Sequence, residues 1–199
     1  MSVSSSKYVR WSGLASMLGG VLLSGLFAII LFVPESIGPP FVALFLYVWV
    51  SLLAGLFGLH ARQKGRYAAT KWLAWAGLVL AMLGPLQSVF LGLLPFLTMG
   101  FGLVLMGIII ALLVMGFGLV LMGIATVKAN VLRWKALALL MGICGIAVWF
   151  VYEAAMQPGS DDTWPWNVVV QALVTFFGAG WVSLGYILWS GKGLRAPQD

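Results

Sequence analysis

The sequence predicts an all-α polytopic membrane protein with six transmembrane helices, and three observations predict it. The chain is 62% hydrophobic and only 8% charged, whereas an ordinary soluble domain carries about 25% charged residues. So few charges cannot cover a water-facing surface, and most side chains must be solvated by lipid. Second, the charges gather in short stretches between long apolar runs. At about 1.5 Å per residue such a run can cross a hydrocarbon core of roughly 30 Å. Third, six runs with the amino terminus inside place all eleven Lys and Arg on one face of the bilayer. Of the acids, Glu35, Glu153, Asp161 and Asp162 then fall on the other face, and Asp199 in the inner tail. Five or seven helices would put part of the basic set outside, so the positive-inside bias selects six, with both termini cytoplasmic. The whole chain, residues 1–199, is expected to be a single membrane domain in the cytoplasmic (inner) membrane, with no soluble domain.

Taken in order, the helices are expected at residues 11–33, 41–59, 72–92, 99–126, 134–152 and 167–189. Arg10 and Trp11 open the first after a polar start. The run is too long for a signal-peptide core, and Pro34-Glu35-Ser36 lacks a small-x-small cleavage site, so it is expected to be retained. Pro34, Gly38, Pro39 and Pro40 form a tight outer turn before the second helix. The stretch from His60 to Trp72 carries Arg62, Lys64, Arg66 and Lys71 and no acid, and reads as a cytoplasmic loop. In the third helix Gly84-Pro85 predicts a kink, with Gln87 and Ser88 positioned to satisfy freed carbonyls. An uncharged outer turn, Leu91 to Thr98, leads to the long fourth helix, which needs tilt to fit. Lys128, Arg133 and Lys135 form the second basic loop. The fifth helix, an outer loop from Glu153 to Trp166 and the sixth helix complete the chain.

Two repeats are visible. Arg10-Trp11, Lys71-Trp72 and Arg133-Trp134 each open an outgoing helix, at offsets of 71 − 10 = 61 and 133 − 71 = 62. The spacing fits three copies of one helical hairpin, or six ordinary helices with even loops and interfacial Trp. MGFGLVLMGI occurs at Met99–Ile108 and again at Met115–Ile124. A shift of sixteen residues, at about 100° each, turns the copies to nearly opposite sides of one helix. Two neighbours would then meet equivalent Gly-rich faces; a tolerated local duplication explains the repeat equally.

Two stripes suggest helix contacts. Ser12, Ser16, Gly20, Ser24 and Ala28 lie four apart on the first helix, a small-xxx-small ladder of the kind that crosses a neighbour right-handed at close range. Asn167, Gln171, Thr175, Ala179 and Ser183 form a matching stripe on the sixth. Gln87, Ser88, Asn167, Gln171 and Thr175 are therefore candidates for a polar pocket or a packing seam.

The search for reactive chemistry finds little. No Asp, Glu, Lys or Arg lies mid-span, where proton relays and ion coupling place them. His60 is the only histidine and Cys144 the only cysteine, so no internal disulfide, His/Cys metal spacing or paired-histidine haem site can form. No nucleophile triad or phosphate loop is present. Catalytic residues, cofactor and metal are expected to be none. The net charge of +6 serves orientation and contact with anionic headgroups rather than nucleic acid.

The segments Arg10 to Leu22, Val131 to Ala138 and Gly180 to Ser190 resemble small six-span bacterial membrane proteins without an assigned activity. The three-hairpin layout is similar to that of the HdeD-type acid-stress membrane proteins, by architecture alone, which implies a fold and no activity. The reading that follows is a non-enzymatic accessory, structural or self-associating membrane subunit, packing with itself or a membrane-protein partner. A carrier or channel for a small neutral or apolar solute is the alternative, and a membrane enzyme the third.

Overall fold

The computed structural model describes residues 3–32, 39–63, 71–88, 101–130, 136–155 and 164–191. They form six helices: α1 (Val3–Phe32), α2 (Pro39–Gln63), α3 (Lys71–Ser88), α4 (Phe101–Ala129), α5 (Leu137–Ala155) and α6 (Trp164–Ser190). Every described element is helical. Five of the six are long and apolar enough to cross a membrane, and α3 is the exception. Its 18 residues begin on Lys71 and end Pro85-Leu86-Gln87-Ser88, so both ends dilute the apolar run. Six helices thus stand where six spans are expected, and five of them qualify as spans; neither the sixth span nor the three-hairpin repeat follows from this.

Helix ends differ from those expected where the sequence offers no stop signal. α1 begins at Val3, not Trp11, because Val3 to Arg10 contains neither Gly nor Pro. α2 runs through Gln63, so His60 and Arg62 belong to its last turn and not to a loop. Helix-compatible Ala61, Arg62 and Gln63 carry it on. α4 continues to Ala129 and stops where Asn130 takes a left-handed conformation (φ 51°), its N–H donating to Val127 O at 3.2 Å. Gly191 ends α6 likewise (φ 68°), donating to Ile187 O at 3.0 Å. Both are helix C-caps that only Gly and Asn adopt readily. α6 starts at Trp164, with Pro165 in the first turn, where its missing N–H is harmless.

The helices are arranged in a ring. α1 packs along both α2 and α6, α6 along α5, α5 along α4 and α4 along α3. α2 and α3 touch over a short stretch only, marked by His60 against Trp75 with ring centroids 4.7 Å apart. One core, drawn from all six helices, fills the middle, with Leu23, Leu52, Leu56, Leu112, Met115, Leu119 and Trp181 fully buried. The outward faces are apolar too: Trp72, Trp75, Val79, Leu83 and Leu86 of α3 are all exposed. Among the described side chains, Lys7, Arg10, Lys71 and Lys128 lie toward one end of the bundle. Glu153 lies at the other, as the antiparallel pairing below requires.

Glycine decides how closely the helices approach. A Cβ on Gly13 would stand 2.6 Å from Gly185 O, and one on Gly20 2.5 Å from Gly178 O. On the α3/α4 seam, a Cβ on Gly77 would stand 2.7 Å from Gly118 O, and Gly84 meets Ala111 O. On the α4/α5 seam, a Cβ on Gly116 would stand 2.8 Å from Gly142 O, and one on Gly123 2.6 Å from Leu139 N. The partner's number falls as the glycine's rises, so each pair is antiparallel. Contacts recur every seven residues on α1, α3, α4 and α6, not every four. Seven residues fall only about 20° short of two full turns, so a seven-residue line stays on one neighbour. That is the spacing of shallow left-handed packing rather than of the right-handed small-xxx-small crossing.

The second MGFGLVLMGI copy meets both neighbours: Gly118 packs on Gly77 and Ala81 of α3, while Gly116 and Gly123 pack on α5. In the first copy, Met99 and Gly100 lie outside the described residues.

Candidate functional site

The polar side chains that the sequence offers meet mainly on the seam between α1 and α6. The α1 ladder does not follow one partner. Each four-residue step overshoots a full turn by about 40°, so the line drifts around the helix. Ser12 accordingly packs on Gly58 of α2 and donates to Val9 O at 2.8 Å. Ser16 touches both neighbours: Gly55 of α2 lies beside it, and its Oγ donates to Trp181 O of α6 at 3.0 Å. Gly20 and Ser24 face α6, where Gly20 and Ser24 Oγ both meet Gly178. Ala28 is half-buried.

The α6 stripe drifts in the same way. Gln171 stands on the seam; its Nε2 donates to Ser24 O at 3.1 Å and to Thr175 Oγ1 at 3.2 Å. Thr175, one turn on, is exposed and returns its hydroxyl to Gln171 O at 2.8 Å. Ser183 bonds Ala179 O on its own helix at 2.9 Å. Asn167 is half-buried near the start of α6.

Gln87 and Ser88 are not brought to this seam. They lie on α3, which packs along α4 and is not packed along α6. Ser88 is buried, and its Oγ donates to Pro85 O at 2.8 Å. It does not bond the Ala81 carbonyl, which loses its partner because proline has no N–H. Gln87, on the neighbouring face of the helix, is half-buried.

Sequence reasoning missed the residue at the centre of the seam. Trp181 is fully buried between α1, α2 and α6, edge-on to Phe177 at 6.2 Å. Its ring would stand 3.2 Å from a Cβ on Gly55. The signal was available: Gly178 and Gly185 bracket it at a seven-residue spacing, matched by Gly13 and Gly20. Three buried polar atoms here and nearby have no hydrogen-bond partner: Trp181 Nε1, Gln171 Oε1 and, on α2, Trp49 Nε1. Each such atom costs on the order of 1–3 kcal/mol when left unpaired.

The site therefore contains amide, hydroxyl and indole groups and no titratable one. It can join helices or bond a neutral molecule; it cannot by itself move a proton. Among the described residues, no three His, Cys, Asp or Glu side chains group closely enough to hold a metal ion. No family model, curated protein or solved structure matches the chain.

Proposed function

We propose that the chain is a six-span protein of the cytoplasmic membrane, both termini inside, and that it works without catalysis as an accessory or self-associating subunit. The observation that carries this reading is the interior. Backbone meets backbone along the glycine seams, large apolar side chains fill the centre, and most of the seam's polar side chains bond the main chain. Such an interior holds helices in place and offers no charged relay. The apolar outer face of α3 and its antiparallel seam with α4 support a sixth crossing, although 18 residues reach only about 27 Å. The basic end, facing the cytoplasm in this reading, contacts anionic headgroups. The test is purification in mild detergent with cross-linking: a discrete oligomer or a stoichiometric membrane-protein partner is expected. A monomer that carries solute across liposomes would contradict it.

A second reading, a carrier for a small neutral solute, is favoured by one observation. The unpartnered atoms of Trp49, Trp181 and Gln171 could bond such a molecule. Flux of neutral solutes into liposomes discriminates the two.

A further inference from the structure

The outer side of the α1/α6 seam gathers hydrogen-bond donors at its basic end. A Cβ on Gly13 of α1 would stand 2.7 Å from Trp189 N of α6. Arg10, three residues earlier on α1, therefore lies beside the turn of α6 that carries Trp189. α1 turns Gly13 and Gly20 to α6, and Ser12 and Gly19 to α2. At about 100° per residue, Lys7 and Arg10 fall on the side of the α6-facing line that is turned away from α2. On α6, Gly178 and Gly185 face α1, and Phe177 and Trp181 face the core. Tyr186 and Trp189 fall on the side away from that core. Lys7, Arg10, Tyr186 and Trp189 are all exposed, and the two rings stand 6.4 Å apart.

We infer that this rim seats the phosphate of an anionic phospholipid, between Lys7 and Arg10 of α1 and the N–H and O–H groups of Trp189 and Tyr186 of α6. The inference rests on the membrane reading above and names one place where the basic end meets a headgroup. All four side chains offer donors, and Lys, Arg and Trp accept nothing, so the set suits a ligand rich in acceptors. Lys7 and Arg10 stand three residues apart on one helix face, with about 5–6 Å between their Cβ atoms. That is close enough to share one phosphate, and the guanidinium fork matches two of its oxygens. Glu153, the only acid among the described residues, lies at the other end of the bundle. A second copy in the same membrane orientation therefore brings no described counter-charge to this rim, whereas an anionic headgroup does. Exposed Trp and Tyr rings suit the headgroup level of a bilayer. Toward mid-bilayer the same flank turns apolar, at Leu14 and Val21 of α1 and Val182 of α6. That continuation favours a lipid over a free phosphate ion.

The experiment uses the full chain reconstituted in nanodiscs of equal phosphatidylglycerol and phosphatidylcholine, released into mild detergent and weighed intact by native mass spectrometry. The wild type is expected to retain phosphatidylglycerol in preference to phosphatidylcholine, and to keep it when excess inorganic phosphate is added. Arg10→Gln should lower that retention about fivefold, the weight of one basic residue at an anionic surface. Arg10→Lys, which keeps the charge and loses the fork, should lower it less. Trp189→Phe, which keeps a ring and loses the N–H, should lower it too. Lys128→Gln, at the same end but on α4, should leave it unchanged. Equal loss in Lys128→Gln and Arg10→Gln, or full retention in Arg10→Gln, would overturn the rim as the site. Release of the lipid by inorganic phosphate would overturn the choice of a lipid. Absence of any phosphatidylglycerol preference in a membrane-integrated chain would overturn this inference alone. Failure of the chain to enter the membrane fraction would overturn the membrane reading and the site with it.

Discussion

Gln171 on α6 donates its amide hydrogen to the main-chain carbonyl of Ser24 on α1, 3.1 Å away, while its own Oε1 is buried without a partner. The residue therefore gains one interhelical bond and leaves one acceptor unpaired. Interhelical polar contacts in bilayers are worth roughly 0.6 to 2 kcal/mol, and the orphaned oxygen pulls the net toward the lower end. Gln171→Leu should lower the melting temperature modestly and abolish no solute flux. Melting curves and liposome flux on the same variant check this. Lost flux at an unchanged melting temperature would make Gln171 part of a path.

Gly20→Leu should damage the bundle more than Leu22→Ala. A Cβ at Gly20 would stand 2.5 Å from Gly178 O and 2.9 Å from Trp181 Cβ, so α1 and α6 must separate. Leu22 is half-buried, and its truncation removes only part of the roughly 2–5 kcal/mol that a fully buried Leu→Ala change costs. Thermal stability in detergent ranks the two; an unaffected Gly20→Leu would place that face of α1 outside the seam.

Glycines off the seams should behave in the opposite sense. Gly25 is exposed, and nothing lies within 4 Å of where its Cβ would be. Gly25→Ala should therefore stabilise by about 0.5–1 kcal/mol through helix propensity alone. Gly13→Ala, crowded by Gly185 O, should destabilise. The same sign for both would mean that propensity, not packing, governs these positions.

The junction of three helices predicts a coupling. A Cβ on Gly55 would stand 2.8 Å from Ser16 Cβ. Gly55→Ala should destabilise, and Ser16→Gly in the same chain should recover part of the loss. A double-mutant cycle measures it; strictly additive effects would show that the clash is relieved elsewhere.

These contrasts show what the sequence made legible. Helix number and order followed from apolar runs bounded by charge. So did the involvement of Gln171 and the small residues of α1 in a helix contact. The geometry of the seam did not. Ser12, Ser16, Gly20 and Ser24 invite a four-residue reading, but four residues overshoot a full turn, so the line passes from α2 to α6. The seven-residue glycine spacing was present in α1, α3, α4 and α6 but is diluted among 25 glycines. Gln87 and Ser88 read as candidates for one polar pocket or seam with Asn167, Gln171 and Thr175. Only the packing order of the ring separates α3 from α6. Helix ends were misplaced at Val3 and Gln63 because charge was taken as a boundary where the backbone had no reason to stop.

The central claim is the threading, and α3 is its weakest crossing. Single cysteines in a Cys144→Ser background, reacted with a membrane-impermeant thiol reagent on intact cells, test it directly. The account predicts labelling from outside at Ser36, Thr98 and Ser160, and labelling at Gln63 and Asn130 only after the membrane is opened. Thr98 protected on intact cells would mean that α3 does not cross, and Gln63 labelled from outside would contradict the orientation of every helix.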